Sequence, residues 1–239
     1  MMKNTDTLAV IQARMGSRRL PGKMMLPLAG QPVLRLVIER VKRARKIGSI
    51  VLATSVNKND DCLAGVARSC GVDTCRGSEL DLVSRFNDCI KLYAKPGIII
   101  RICADNPLVC PELVDSLIES HIRTDADYSC VCPERGWPDG VGCEVADRAL
   151  LMKLSALPLS ETEKEHCFGY IWNNLSEFRV NFPESGMPGG LPGRIRIDLN
   201  TDEDYKKLCL FSEGLSFSEL VSLSLEEIIK KYKALHLGD

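Results

Sequence analysis

The stretch from Gln12 to Lys23 combines glycines with a dense group of positive charges. It reads QARMGSRRLPGK, and its cations are Arg14, Arg18, Arg19 and Lys23. Glycine lets backbone N–H groups approach a phosphate closely, and arginine and lysine neutralise phosphate charge. Local composition therefore predicts either a polyphosphate-binding loop or a solvated basic loop, without a preference between the two.

This basic stretch does not have the spacing of a P-loop ATPase. The P-loop reads G-x-x-x-x-G-K-[ST], whereas Gly16 and Gly22 lie one residue too far apart and Met24 follows the lysine. If the stretch binds phosphate, it must do so with a different backbone arrangement.

Aspartates follow two apolar runs further along the chain. Asp105 comes after GIIIRIC at 97–103, and Asp198 comes after RIRI at 194–197. Mg²⁺ is usually held by one or two protein carboxylates together with phosphate oxygens and water, so two strand-end aspartates could share a metal site. Alternatively, Asp105 is a turn residue before Asn-Pro, and Asp198 and Asp202 cap the following helix. For Asp202 the capping interpretation is the better one.

The apolar pattern of the first half predicts strands that alternate with helices. We expect strands at 8–11, 50–54, 72–75 and 97–103, and helices at 33–41, 60–70, 80–95 and 111–123. Such alternation indicates βαβ units, a mainly parallel sheet and helices on both faces, which is the α/β class. Ligands of open α/β sheets bind at the carboxyl ends of the strands, where the basic stretch and Asp105 would lie together.

The second half has a less regular pattern. We expect strands at 141–146, 178–182 and 194–197, a helix at 160–174, a Pro- and Gly-rich loop at 187–193 and three helices towards the end. No convincing linker interrupts the chain. The prediction is one domain over residues 1–239, with an inserted segment at about 133–192 that serves as a lid or a subunit contact.

The overall composition is typical of a globular protein. Of the 239 residues, 45% are hydrophobic and 26% charged, which argues against extensive disorder or a fibrous rod. Lys plus Arg (31) nearly balance Asp plus Glu (32), so no general charge attracts the chain to nucleic acid or an anionic membrane. Because neither a bilayer-spanning run nor the apolar run of a signal peptide is present, we expect a cytosolic protein.

The cysteine pattern predicts free thiols. The count of 11 is odd, no secretion signal precedes it, and no C-x-x-C pair occurs. The three histidines are far apart in the sequence, so a zinc site is not expected. Most of these cysteines should be small buried hydrophobes.

The basic stretch resembles a family signature. It closely matches Q-A-R-M-x-S-x-R-L-P-G-K of the cytidylyltransferases that activate acidic sugars, especially the branch called spore coat polysaccharide biosynthesis protein F, which is related to the CMP-KDO synthetases. The similarity continues in order along most of the chain. Its further matches are Arg76-Gly77-Ser78 with Asp81 and Arg85, Asp105-Asn106-Pro107-Leu108, Pro138-x-Gly140 with Glu144, Glu165-His166, and Asp198 with Glu203-Asp204.

The resemblance implies both a fold and a reaction. The fold is that of the nucleotide-diphospho-sugar transferases, a Rossmann-like α/β sheet. The reaction is Mg²⁺-dependent transfer of CMP from CTP to an acidic sugar or sugar-like acceptor, with release of pyrophosphate, for a surface polysaccharide or glycan. The partners implied are CTP, the acceptor and a second copy of the chain in a homodimer.

The resemblance also implies roles for individual residues. Arg14, Lys23 and Asp105 would be catalytic, and Asp105 with Asp198 would hold the metal. Glu144 and His166 would contact the acceptor, although a helix-anchoring histidine is an equal alternative for His166. The nucleotide-binding set implied is Gln12, Ala13, Arg14, Met15, Gly16, Ser17, Arg18, Arg19, Lys23, Arg76, Gly77 and Ser78.

One position departs from the family pattern. The family commonly reads P-x-G-L-D-V-E-V, and this chain has Gly142 where the aspartate would stand. The contacts made to the acceptor at this position are therefore open.

Two other functions remain open from the sequence. One is a nucleotidyltransferase of the same fold that uses another nucleoside triphosphate or a phosphorylated acceptor. The other is a glycosyltransferase or a catalytically idle nucleotide-sugar binding module. The basic stretch argues against the latter, because a nucleotide sugar carries less phosphate charge than a triphosphate.

Overall fold

The first half of the chain forms the alternating strands and helices that its apolar pattern predicts. The structure is a computed structural model that describes residues 6–93, 97–187 and 195–236. All of the predicted strands and helices of this half are present, with small differences at their ends, and a short hairpin (β2 and β3) is added. The elements are β1 (Thr7–Gln12), β2 (Pro27–Leu28), β3 (Gln31–Pro32), α1 (Val33–Val41), β4 (Ser49–Ser55), α2 (Asp61–Ser69), β5 (Asp73–Gly77), α3 (Leu82–Leu92), β6 (Ile98–Cys103) and α4 (Pro111–Arg123).

The second half contains elements that the pattern did not predict, namely β7 and α5. The three closing helices are confirmed, and the strand expected at 178–182 is reduced to β9. The elements are β7 (Tyr128–Cys130), β8 (Glu144–Asp147), α5 (Arg148–Ser155), α6 (Glu161–Glu165), α7 (Gly169–Asn173), β9 (Val180–Asn181), α8 (Asp202–Ser212), α9 (Phe217–Ser222) and α10 (Leu225–His236).

The single helix expected at 160–174 is wrong. The chain forms two short helices, α6 and α7, because His166 takes an extended conformation (φ −115°, ψ 102°) that ends the first. The residues that follow, Cys167 and Phe168, are each only 1% exposed. Phe168 packs against Tyr128 with ring centroids 5.0 Å apart. Burial of these side chains on the sheet outweighs the local preference for a continuous helix.

The segment before α8 also differs from its prediction. Residues 195–197 do not form a strand; Arg196 makes one isolated parallel bridge with Asp139, while Arg194 and the loop residues 188–193 lie outside the described ranges. The capping interpretation of Asp198 and Asp202 is wrong. Thr201 is the N-cap, and it exchanges hydrogen bonds with Asp204 in a capping box.

The main sheet reverses its strand order beside β1. Its seven strands follow the order β5-β4-β1-β6-β8-β7-β9. From β1 the chain builds outward through β4 and β5, and it then returns to place β6 on the other side of β1. Strand β8 runs antiparallel to β6 and β7, and the other pairings are parallel. The crevice at the carboxyl ends of β1 and β6 is therefore the place where such sheets bind ligands.

Helices cover both faces of this sheet, which confirms the α/β class. Ala9 and Ile11 of β1 face the core built with α1 and α4, whereas Leu8 and Val10 face the core built with α3, α5 and α7. Successive strand residues point to opposite faces, so Gln12 continues the second face beyond Val10. Arg101 and Cys103 of β6 lie on that same face, at the carboxyl edge of the sheet.

The segment predicted as an insertion contributes to this framework. It supplies β8 and β9 to the sheet and α5, α6 and α7 to the second face. Its action as a lid or subunit contact stays a prediction.

All 11 cysteines are free, and eight of them are buried, which confirms the thiol prediction. Within the described ranges, no helix has both the length and the apolar character needed to cross a membrane.

Candidate active site

Two adjacent cavities open at the carboxyl edge of the sheet. The first has a volume of about 390 Å³ and the second about 310 Å³. Arg101 and His166 line both, so the cavities meet at these side chains. Among the residues predicted for the site, the first cavity is lined by Gln12, Ala13, Arg14, Ser17, Arg18, Arg19, Lys23, Asp105 and His166. The second is lined by Glu144 and His166.

The first cavity carries an excess of positive charge. Six cationic residues line it against three carboxylates, which gives a net charge of +3. The cations are Arg14, Arg18, Arg19, Lys23, Arg85 and Arg101, and the carboxylates are Glu79, Asp105 and Glu165. A cleft lined mainly by one sign of charge concentrates ligands of the opposite sign, so this cavity suits a polyphosphate.

A buried aspartate anchors the basic loop to the sheet. Asp60 is 2% exposed, and its Oδ1 accepts a hydrogen bond from the Met15 backbone N–H at 2.8 Å. Its Oδ2 accepts bonds from Thr54 Oγ1 and from the Ser55 N–H and Oγ. Burial opposes ionisation, but these hydrogen bonds outweigh it and lower the pKa of the Asp60 carboxyl. The sequence pattern placed Asp60 only at a helix start, so this role was missed.

The other end of the basic loop closes against residues just before α8. Gly22 has a left-handed backbone (φ +74°), which lets the chain turn and bury Lys23. Lys23 Nζ donates to the Leu199 carbonyl at 2.6 Å, to Asn200 Oδ1 at 3.2 Å and to Asp105 Oδ2 at 3.3 Å. The structure thus brings together two of the predicted catalytic residues, Lys23 and Asp105.

Asp105 and Asp198 are held next to each other by the backbone. The Leu199 N–H donates to the Asp105 carbonyl at 2.7 Å. A Cβ on residue 140 would lie 2.6 Å from the Asp198 nitrogen, so this close approach requires Gly140. Asp139 lies beside the pair: burial, and then the charges of Asp198 and Asp105, raise the pKa of the Asp139 carboxyl.

The donor set at this position fits a hard cation. Lys23 binds Oδ2 of Asp105, and Arg196 and Asn200 bind Oδ2 of Asp198, so each Oδ1 receives no hydrogen bond from a described residue. Across the described ranges, no group of three His, Cys, Asp or Glu side chains could hold a metal. Two carboxylates are nevertheless sufficient for Mg²⁺ when phosphate oxygens complete its shell.

A buried ion pair stands where the two cavities meet. Arg101 donates from Nε to Gln12 Oε1 at 2.8 Å and from Nη1 to Glu144 Oε2. Tyr128 donates its hydroxyl hydrogen to the other oxygen of Glu144, and Trp172 Nε1 donates to the Tyr128 hydroxyl at 3.1 Å. Sequence analysis assigned no role to Arg101. The signal that could have found it is that Arg101 is the one charged residue in the apolar strand β6.

With this geometry in place, comparison with known proteins decides the family. The family model described as "Cytidylyltransferase" matches residues 8–184, which cover the basic loop, Asp105 and the Arg101–Glu144 pair. The chain belongs to the cytidylyltransferase family.

Individual relatives of this cytidylyltransferase agree with that assignment. The spore coat polysaccharide biosynthesis protein SpsF of Bacillus subtilis is 35% identical and aligns with 91% of this chain and 93% of its own. A 3-deoxy-manno-octulosonate cytidylyltransferase of Anaeromyxobacter sp. (strain K) is 34% identical over 46% of this chain and 44% of its own. The structure of a cytidylyltransferase from Leptospira borgpetersenii serovar Hardjo-bovis superposes with a TM-score of 0.88 at 29% identity, covering 99% and 96% of the two chains.

Several predicted site residues of the cytidylyltransferase line neither cavity. The Arg76 guanidinium donates hydrogen bonds to Asp61 at 2.5 Å and to the carbonyls of Ser55 and Asn57. A Cβ on Gly77 would lie 3.2 Å from Arg85 Cγ, and the Ser78 carbonyl accepts from Arg85 Nη1 at 3.0 Å. The predicted residues that line neither cavity are Met15, Gly16, Arg76, Gly77, Ser78 and Asp198.

Arg85, which packs against Gly77 and donates to the Ser78 carbonyl, lines the first cavity. Its side chain is 4% exposed, and Nε has no hydrogen-bond partner among the described residues. Burial lowers the pKa of Arg85, and the charge of Arg14 lowers it further. A buried guanidinium beside a second arginine favours an anionic ligand in the first cavity.

Gly142 of the cytidylyltransferase sits against the neighbouring backbone. A Cβ there would lie 2.7 Å from the Val131 carbonyl oxygen and 2.9 Å from Val131 Cβ, so the position has no space for a side chain. Gly142 lines neither cavity. An aspartate at this position would require Val131 to move.

Proposed function

We propose that this cytidylyltransferase transfers CMP from CTP to a hydroxyl of an acidic sugar or sugar-like acceptor. The observation that carries the proposal is the pair of cavities. One is rich in cations, the other is large enough for a sugar, and they meet at Arg101 and His166. Two substrates that react with each other need such adjoining sites.

The first cavity would bind the nucleotide. Arg14 and Lys23, together with Arg18 or Arg19, would bind the triphosphate through charge-assisted hydrogen bonds. Cytosine and ribose would lie towards Gln12 and Ala13, near the end of β1. Neither Arg76 nor Gly77 lines the first cavity, so this assignment gives them no contact with the base.

Asp105 and Asp198 would hold Mg²⁺. The ion would supply charge neutralisation on the phosphates, as in other phosphoryl-transfer enzymes. Lys23, fixed by the Leu199 carbonyl and by Asn200, would direct its positive charge towards the same phosphates when they displace its contact with Asp105.

The second cavity would bind the acceptor. Glu144 and His166 line it, and Trp172, which is 41% exposed, offers an apolar surface for a sugar ring. The acceptor hydroxyl oxygen attacks the α-phosphorus, and the bond to the oxygen bridging the α and β phosphates breaks. Pyrophosphate leaves with the electron pair, and the hydroxyl proton passes to solvent. The step needs positioning and charge neutralisation, and it requires no nucleophilic side chain.

The biological setting is proposed from the relatives. SpsF is named for spore coat polysaccharide biosynthesis, and the 3-deoxy-manno-octulosonate enzyme is named for an acidic sugar. We propose a corresponding product for surface polysaccharide or glycan, and a cytosolic homodimer formed partly through the segment at 133–192.

The experiment is calorimetric titration of the purified protein with CTP, UTP, GTP and ATP, each with and without Mg²⁺. Selective, Mg²⁺-dependent binding of CTP is the expected result. A preference for another triphosphate would favour the alternative nucleotidyltransferase. If the folded protein bound nucleotide sugars tightly and no triphosphate, the binding-module alternative would replace the proposal.

A second arm tests the metal site. Asp105→Asn should abolish Mg²⁺-dependent pyrophosphate release and leave the thermal unfolding temperature close to that of the wild type. Asp88→Asn is the matched control, because Asp88 lies on the surface of α3 beside Lys91. Full activity of Asp105→Asn would remove Asp105 from the mechanism.

A further inference from the structure

We propose that Arg101 binds the carboxylate of the acceptor and thereby selects acidic sugars over neutral ones. The inference rests on the proposed function and adds a specificity-determining residue to it. Its basis is the position of the side chain at the junction of the two cavities, the donors that remain free on it, and the charge of the second cavity.

Arg101 is held rigidly at this junction. It lies on β6, in the middle of the sheet, and its side chain is 13% exposed. Gln12 and Glu144 fix the guanidinium from two sides through Nε and Nη1. A donor fixed in this way loses little conformational entropy when it binds a ligand.

The same side chain keeps donors available. A guanidinium carries N–H groups on Nε and on both Nη atoms. The described residues accept hydrogen bonds from Nε and Nη1, and none accepts from Nη2. Arginine with free N–H groups at a fixed position is well suited to a carboxylate.

The charge of the second cavity confines an acidic group to this end. Among the described residues that line the cavity, Arg101 is the one with a permanent positive charge, against the carboxylates of Glu144 and Glu163. The remaining lining includes Thr162, Asn173 and Trp172, which suit the hydroxyl groups and apolar face of a sugar. A carboxylate placed elsewhere in the cavity would find no other permanent cation among the described lining residues.

The reaction imposes the same position. The acceptor hydroxyl must reach a phosphorus atom in the first cavity, so it too must lie at the junction. A carboxylate on Arg101 would then be close to the reacting hydroxyl. In the ring form of a 2-keto sugar acid, both groups are attached to the same carbon, which satisfies this requirement.

The test compares an acid with its neutral methyl ester. The probes are 3-deoxy-manno-octulosonate, N-acetylneuraminate and the methyl ester of each, with pyrophosphate release as the readout. The variant is Arg101→Gln combined with Glu144→Gln, so that no buried carboxylate is left unpaired. Glu144→Gln alone separates the effect of the carboxylate, and Arg68→Gln, on the exposed surface of α2, is the control for loss of an arginine.

Wild-type protein should prefer the acid to its ester by about 10- to 100-fold in kcat/KM, the range of one charge-assisted hydrogen bond. The double variant should raise the KM of the acid by a similar factor and lose its preference over the ester, and any loss of CTP affinity should be smaller than this factor. Arg101→Lys should restore part of the preference, and it serves as the readout if the double variant does not fold.

Three results would overturn the inference. They are an undiminished preference for the acid in the variants, a loss of CTP affinity with the KM of the acid unchanged, and selective CTP binding by the wild type without release of pyrophosphate from CTP when either acid is the acceptor. In the third case the CTP site of the proposed function still stands. A folded wild-type protein that binds no CTP would instead overturn the proposed function itself.

Discussion

Replacement of Asp60 by asparagine tests how the basic loop is held. The Asp60 carboxylate receives four hydrogen bonds, one from the loop at Met15 and three from Thr54 and Ser55 at the end of β4. Asparagine keeps the shape of the side chain but offers a single carbonyl oxygen. If that oxygen faces β4, the new amide group meets the Met15 N–H, and two donors oppose each other.

The cost can be worked out from these contacts. Hydrogen bonds to a charged group are worth about 1.5 to 3 kcal/mol each, and an unpaired buried N–H adds a desolvation penalty. With one bond lost and three weakened, we expect Asp60→Asn to lower the free energy of unfolding by about 3 kcal/mol. For a protein of this size that corresponds to a fall in the unfolding temperature of about 6 to 12 °C.

The effect should depend on pH in a defined direction. The folded state lowers the pKa of Asp60 below its ordinary value of 3.8. The ionised carboxylate therefore stabilises the fold at pH values above 3.8, and this contribution is lost as the pH falls through the lower, folded-state pKa. Asparagine does not titrate, so the difference between wild type and variant should narrow below about pH 4.

The assay is urea unfolding of both proteins from neutral pH down to the acid range, together with CTP titration at neutral pH. The control is Asp88→Asn, which should change the unfolding free energy by less than about 1 kcal/mol because Asp88 forms an exposed ion pair. A variant as stable as the wild type, or a difference that does not change with pH, would refute the hydrogen-bond reasoning. If the variant were destabilised but bound CTP as tightly as the wild type, the idea that Asp60 holds the basic loop in its CTP-binding position would be refuted.

Three further predictions concern packing and thiol reactivity. Arg40 is fully buried and donates to four backbone carbonyls, including those at the end of α9. Arg40→Met should therefore lower the free energy of unfolding, measured in urea, by about 4 kcal/mol. A decrease of less than about 1 kcal/mol would contradict this. Gly142→Asp should lower the free energy of unfolding by about 2 to 3 kcal/mol through its clash with Val131, whereas a neutral effect would show that Val131 shifts easily. Burial raises the pKa of Cys103 to about 12, so iodoacetamide at mildly alkaline pH should label exposed Cys62 well before Cys103, as peptide mass mapping can check.

Much of the fold and part of the site were predictable from local sequence. The strands and helices of the first half follow from apolar periodicity, because each element buries a face whose spacing the sequence records directly. Asp105 and the basic loop were placed together by one topological rule, that ligands bind at the carboxyl ends of the strands. The family signature in the basic loop then predicted the cytidylyltransferase family, which the match over residues 8–184 confirms.

Where the helix prediction failed, a contact distant in sequence outweighed a local preference. The helical pattern at 160–174 is interrupted because Cys167 and Phe168 are drawn into the core beneath them. The cap expected at Asp202 failed for a local reason, because Thr201 and Asp204 form the capping box one residue earlier.

The sequence by itself determined which residue types are available and where the first-half elements form. The tertiary structure alone decided that Lys23 meets Asn200, that Met15 meets Asp60, and that antiparallel β8 sets Glu144 opposite Arg101. The physical reason is that these contacts join residues far apart in the chain. Apolar periodicity reports only on the nearest turns or strand neighbours, whereas a distant pairing depends on how the whole sheet is ordered.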